Sequence, residues 1–106
     1  MMRILAVDDD NVFLEILEQV LVSYGYSDLT LVESGVLAAE AIQAAKEPFD
    51  CFLLDIQMPE IDGIQLCQWI RSHALYATTP ILMITAMAER EYVESAFSAG
   101  ATDYVN

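Results

Sequence analysis

The sequence predicts an α/β fold: one parallel sheet with helices on both faces. Three observations predict it. Short, continuously apolar runs, such as Ile4-Leu5-Ala6-Val7 and Phe52-Leu53-Leu54, read as strands buried on both faces. Segments with helical apolar spacing alternate with these runs in strict β-then-α order. Polar residues follow the runs: Asp8-Asp9-Asp10, Asp55 and Thr85. Right-handed crossovers put the carboxyl ends of parallel strands on one edge, so those residues are expected to meet there.

Strand 1 is Ile4 to Val7. Helix 1 runs from about Asn11 to Tyr24, with Phe13, Ile16, Leu17, Val20 and Leu21 at helical spacing. Asp10 or Asn11 can cap its start, and Gly25 supplies a left-handed stop. Strand 2 spans Leu29 to Glu33. Ser34 caps helix 2, about Gly35 to Lys46, and Glu47-Pro48 ends it. Strand 3 is Cys51 to Leu54. A turn-rich segment with Pro59 and Asp62-Gly63 leads into helix 3, about Gly63 to His73. A polar loop, Ala74 to Thr79, precedes Pro80 and strand 4, Ile81 to Ile84. Helix 4 covers about Ala88 to Ala99 and stops at Gly100. A fifth strand occupies Thr102 to Val105.

At 106 residues this is one domain, with enough chain to bury a core but little to spare. Apolar residues make up 56%, which argues against disorder. No apolar run can span a bilayer, and the start at Met1-Met2-Arg3 has no signal-peptide pattern, so a cytoplasmic location is expected. The net charge of −13 repels phosphate backbones, so direct contact with nucleic acid is not expected. It suits a cation or a basic protein partner. Cys51 and Cys67 have no metal-ligand spacing and read as buried small hydrophobes.

Several carboxylates at one sheet edge are costly. Two like charges ~4 Å apart repel by about 4 kcal/mol at an effective dielectric near 20. Raised pKa values or a bound hard cation relieve this, and an all-oxygen donor set suits Mg²⁺. The simpler alternatives are that Asp55 caps a turn and that Asp8-Asp9-Asp10 cap helix 1. Three acids in a row exceed what a cap needs. Thr85 could be an ordinary strand-end residue, Tyr104 a packing residue, and Met58-Pro59 a turn-shaping pair. His73 reads as a solvated last-turn residue, and Trp69, off the main apolar face of helix 3, as half-buried or, less simply, as a partner contact.

Asp8-Asp9, Asp55, Met58-Pro59, Asp62-Gly63, Thr85-Ala86, and Gly100-Ala101 before Asp103-Tyr104-Val105 resemble, in order and spacing, the receiver domain of two-component response regulators. The match covers almost the whole chain, with residues 1–106 as the receiver. The resemblance implies a flavodoxin-like three-layer sandwich with sheet order 2-1-3-4-5. It implies that Asp55 accepts a phosphoryl group from a histidine kinase or phosphotransfer protein. Asp9, Asp55 and the backbone carbonyl of Gln57 would bind Mg²⁺, or Mn²⁺ in its stead, with Asp8 acting through water. Thr85 and Ala86 would meet the phosphoryl group, and Tyr104 would be the aromatic whose rotamer follows. Gln57 and Met87 would tune its lifetime. An output domain or target protein would read the state.

The chain departs from the family pattern at its end. Receivers carry a Lys just after strand 5 and then a fifth helix, whereas this sequence stops at Asn106 and looks truncated before helix 5. Were that the true end, apolar surface would be exposed beside strands 4 and 5, and a homodimer is expected. Two other functions fit parts of the pattern. A Mg²⁺-dependent phosphohydrolase with an aspartyl nucleophile would carry a second Asp two residues on, where Gln57 stands. A degenerate receiver would bind partners without phosphorylation. The receiver reading implies a switch, not a turnover enzyme.

Overall fold

In the computed structural model, residues 1–84 and 90–105 are described. The elements are β1 (Arg3–Val7), α1 (Asn11–Ser23), β2 (Asp28–Val32), α2 (Gly35–Ala44), β3 (Cys51–Leu54), α3 (Gly63–Arg71), β4 (Ile81–Ile84), α4 (Arg90–Ser98) and β5 (Asp103–Val105). The five strands form one parallel sheet in the order β2-β1-β3-β4-β5. The fold class and strand order expected from the sequence are those observed.

Alternation along the strands sorts two cores. Leu5, Val7, Phe52, Leu54, Ile81 and Met83 face α2, α3 and α4, which contribute Ala38, Ile42, Leu66, Cys67, Ile70 and Ala96. Ile4, Ala6, Cys51 and Leu53 face the other way, against Leu14, Leu17 and Leu21 of α1. β1 and β3 are buried along nearly their whole length, as central strands with both faces covered must be. The edge strands β2 and β5 are only partly buried. Both cysteines are free and buried, and burial pushes both thiols up, so they act as apolar filling.

Local signals set the element boundaries. The Asp10 carboxylate accepts from the amides of Val12 and Phe13 at the start of α1. The Ser34 hydroxyl accepts from Leu37 N at the start of α2. Asp62 and Gln65 form a reciprocal capping box on α3. Gly25 (φ 93°) and Gly100 (φ 107°) end α1 and α4 in the left-handed conformation that only glycine adopts freely.

Two expectations need correction. Ile16 and Val20 are 54% and 46% exposed, although helical spacing placed them on the packed face of α1. A helix lying on a sheet buries a narrow strip, here Leu14, Leu17 and Leu21, and positions 16 and 20 fall on its flank. The segment 74–79 is not merely a polar loop. A single 3₁₀ turn, Ala74–Tyr76, buries Tyr76, whose ring meets Phe52 edge-on at 5.0 Å. The Tyr76 hydroxyl accepts from Phe49 N at 3.3 Å. An amphipathic ring with its polar tip satisfied can enter a core that a polar-loop reading would close to it.

Candidate functional site

The sheet ladder runs on into the acids. Val7 pairs with both Val32 and Leu54, Leu54 with Met83, and Met83 with Tyr104, so the strand ends lie level. Beyond that row, the Asp8 amide donates to Val32 O at 3.2 Å and the Asp55 amide to Val7 O at 2.9 Å. The two carboxylates therefore start from neighbouring strand ends. Asp8, Asp9 and Asp55 each present a carboxylate oxygen, all within 4.8 Å of one another.

The acids of the first run divide their work. Asp10 is the cap of α1. The Asp10 amide donates to Asp8 Oδ1 at 2.9 Å, which fixes the turn leaving β1. Asp9 is exposed, Asp8 is only 8% exposed, and Asp55 is half-buried. Burial raises the Asp8 carboxyl from its ordinary 3.8 to about 6. The charges of Asp55, Asp9 and Asp10 push the same way, and the Asp10 N–H opposes them. A compact set of hard oxygen donors, with one acid already resisting ionisation, fits a divalent cation such as Mg²⁺.

The loop after β3 is pinned from beneath. Ile56 and Met58 are buried, while Gln57 is exposed and lines a cleft with Pro59, Asp62 and Tyr92. Gly63 closes the loop: its amide donates to Ile56 O at 2.9 Å. A Cβ there would fall 2.0 Å from the Asp55 carbonyl oxygen. Sequence reasoning treated Asp62-Gly63 as a turn signal and missed that the glycine lets α3 press against the strand end carrying Asp55. It also missed Ile56 and Met58 as anchors, although their i, i+2 spacing around Gln57 was available as a signal.

The structure thus brings Asp8, Asp9 and Asp55 together and puts Gln57 beside them in sequence, on the loop. Tyr104 is half-buried on β5, two strands from Asp55, packed against the core under α2, α3 and α4. Thr85, Ala86 and Met87 lie outside the described residues. Among the described residues no helix is long and apolar enough to cross a membrane.

Comparison with known proteins gives consistent matches. A family model described as the response regulator receiver domain matches residues 4–106. Response regulator MprA of Mycobacterium leprae is 39% identical over 104 residues, which cover 98% of this chain and 43% of the relative. Two-component response regulator ARR12 of Arabidopsis thaliana is 35% identical over 104 residues, covering 98% of this chain and 17% of the relative. The chain thus spans less than half the length of these curated relatives. Among solved structures, a putative response regulator from Chloroflexus aurantiacus superposes with a TM-score of 0.86 at 38% identity, covering 98% of this chain and 84% of the other. Chemotaxis protein CheY4 of Vibrio cholerae superposes with a TM-score of 0.90 at 30% identity, covering 99% and 85%.

Proposed function

The chain belongs to the response regulator receiver domain family, and from that premise we propose that it is a signalling switch thrown by phosphorylation of Asp55. Receiver domains of two-component systems interact with histidine kinases or phosphotransfer proteins and with output domains, and are in general phosphoacceptors, not turnover enzymes. The observation that carries the reading for this chain is the cluster of Asp8, Asp9 and Asp55 at level strand ends. We take residues 1–106 as the receiver unit.

A carboxylate oxygen of Asp55 attacks the phosphorus of a phosphohistidine. An O–P bond forms, the P–N bond breaks, and the departing imidazole keeps the bonding pair and takes up a proton. The product is an acyl phosphate. Asp8, Asp9 and Asp55, with the Gln57 backbone carbonyl, would hold Mg²⁺ or Mn²⁺; when bound, that cation neutralises charge on the phosphoryl oxygens. Asp9 and Asp55 would contact it directly and Asp8 through water. Thr85 and Ala86 would receive the phosphoryl oxygens, and Tyr104 would report the change through its packing. The switch readout is new negative charge at a sheet edge, felt by the loops around it.

The test is intact mass after incubation with Mg²⁺ and acetyl phosphate, for the chain and for Asp55→Asn. A single hydroxylamine-labile phosphoryl adduct on the first protein and none on the second is expected. An adduct that persists in Asp55→Asn, or none in either protein, counts against the reading.

A further inference from the structure

A second surface lies apart from the acidic edge, between α2 and α3. Ala39 of α2, Glu60 and Ile61 of the loop after β3, and Gln65, Leu66 and Trp69 of α3 line an open groove of about 330 Å³. Its walls are mostly apolar, and its polar groups sit at the rim. Three features set it apart from an ordinary helix–helix seam.

Trp69 is the chain's only tryptophan and is half-buried. Its indole is braced by His73, whose ring meets it edge-on at 4.4 Å and whose Nδ1 lies 2.8 Å from Trp69 O. Glu60 holds a left-handed backbone (φ 67°), the one such non-glycine among the described residues. That conformation is strained for a residue with a side chain and free of strain for glycine. The Glu60 carboxylate makes no side-chain hydrogen bond or ion pair among the described residues. Gln65 is held at the rim by the capping box, its Oε1 accepting from Asp62 N.

Glu60 and Trp69 line the same groove, and their chemistry points to the class of occupant. An indole wall beside a carboxylate recognises a flat or compact cation with an apolar flank. Among the described residues, no basic side chain lines the groove. Arg3 pairs with Asp28 and Arg90 with Glu94, Arg71 is turned to backbone carbonyls, and Lys46 lies beyond the C-terminal end of α2. With a net charge of −13, a basic partner is also drawn to the molecule as a whole.

We propose that the α2–α3 groove docks an arginine or lysine of a partner protein, flanked by an apolar residue, with its cation between Trp69 and Glu60. The inference does not rest on Asp55 phosphorylation and is tested on the unphosphorylated protein, so the two proposals stand or fall separately.

Because Trp69 is the sole indole, its emission reads the groove directly. The probe is a capped leucine–arginine dipeptide, and the control is the capped leucine–glutamine dipeptide. A saturable change with the arginine probe is expected, weakened by salt and unchanged by Asp55→Asn. Glu60→Gln should weaken it at least about fivefold, as expected for loss of a cation's carboxylate partner. Glu60→Gly should also lose the response while melting no lower than the parent, which separates binding from folding. An unsaturable change, an equal response to the glutamine control, or an unaltered midpoint in Glu60→Gln overturns the proposal. So does concentration-dependent sedimentation of the chain alone that Trp69→Ala abolishes, which would assign the groove to a second copy.

Discussion

At Gly63 the α carbon can carry nothing larger than hydrogen towards the strand end of Asp55. A Cβ would meet the Asp55 carbonyl oxygen at 2.0 Å and its carbon at 2.8 Å, all backbone with no rotamer to yield. Gly63→Ala should therefore destabilise the fold by about 1–3 kcal/mol, as expected of overpacking. Urea denaturation checks this, and an unchanged midpoint would contradict the close approach. Asp8 gives a prediction of definite sign. Its carboxyl titrates near 3.8 when unfolded and about 6 when folded. Between those values the native state holds more protons, so the contribution of Asp8 to stability is present below pH 4 and is lost as pH rises through 6. At 1.36 kcal/mol per unit the loss reaches about 3 kcal/mol. In EDTA, Asp8→Asn should flatten that slope and be the more stable protein at pH 7.5. At this scale the acids were legible because carboxylates stand out after apolar runs. The role of Gly63 was not, because a close approach between loop and helix exists only in three dimensions.

The elements are joined at the far edge of the sheet by Arg71, the last residue of α3. Its Nε donates to Gly100 O at 2.8 Å, and one terminal nitrogen donates to Tyr76 O and Thr79 O. The other donates to Thr102 Oγ1 at 3.1 Å, which in turn accepts from Ile81 N. One guanidinium thus ties α3, the 3₁₀ turn, the approach to β4 and the approach to β5. Arg71→Met should cost about 2–4 kcal/mol, because it leaves several carbonyls without donors. Arg71→Lys should recover only part, since an ammonium lacks the planar fork. Thermal melts of both variants check this; equal stability of Met and Lys would show that only the aliphatic stem matters. Element types and order were readable from caps, glycine stops and apolar periods. The flank of α1 was misjudged because Phe13, Ile16 and Val20 continue the apolar pattern, and only the sheet decides which strip is covered. Tyr76 was missed because one aromatic in a short polar run carries no period.

For the whole molecule, charge and architecture pull in opposite directions. Three helices cover one face of the sheet and, among the described residues, α1 covers the other. Thirteen net negative charges surround this core and repel one another. A cation held by Asp8, Asp9 and Asp55 would relieve the repulsion among those three carboxylates. Mg²⁺ at a hundred times its dissociation constant should add about 2.7 kcal/mol, and EDTA should remove it. Asp9→Asn should abolish most of that gain while responding normally to NaCl, which differential scanning calorimetry can read. A gain that survives in Asp9→Asn would make it general screening. The global fold was the most legible level of all. Strict β-then-α alternation with level apolar runs admits few topologies, and chirality selects among them.

The hydrogen bonds that carry the ladder past Val7 and Leu54 have a consequence for time as well as place. The amides of Asp8 and Asp55 are locked into the sheet's own lattice of bonds. Exchange of such amides with deuterium needs the sheet end to open, so they should exchange more slowly than unbonded amides of the loop. The Asp55 carboxylate is therefore mounted on hydrogen-bonded sheet backbone, while the side chain of Gln57, two residues on, is exposed. A ligand arriving at this edge meets a hydrogen-bonded strand end at Asp55 and an exposed side chain at Gln57, within a span of three residues.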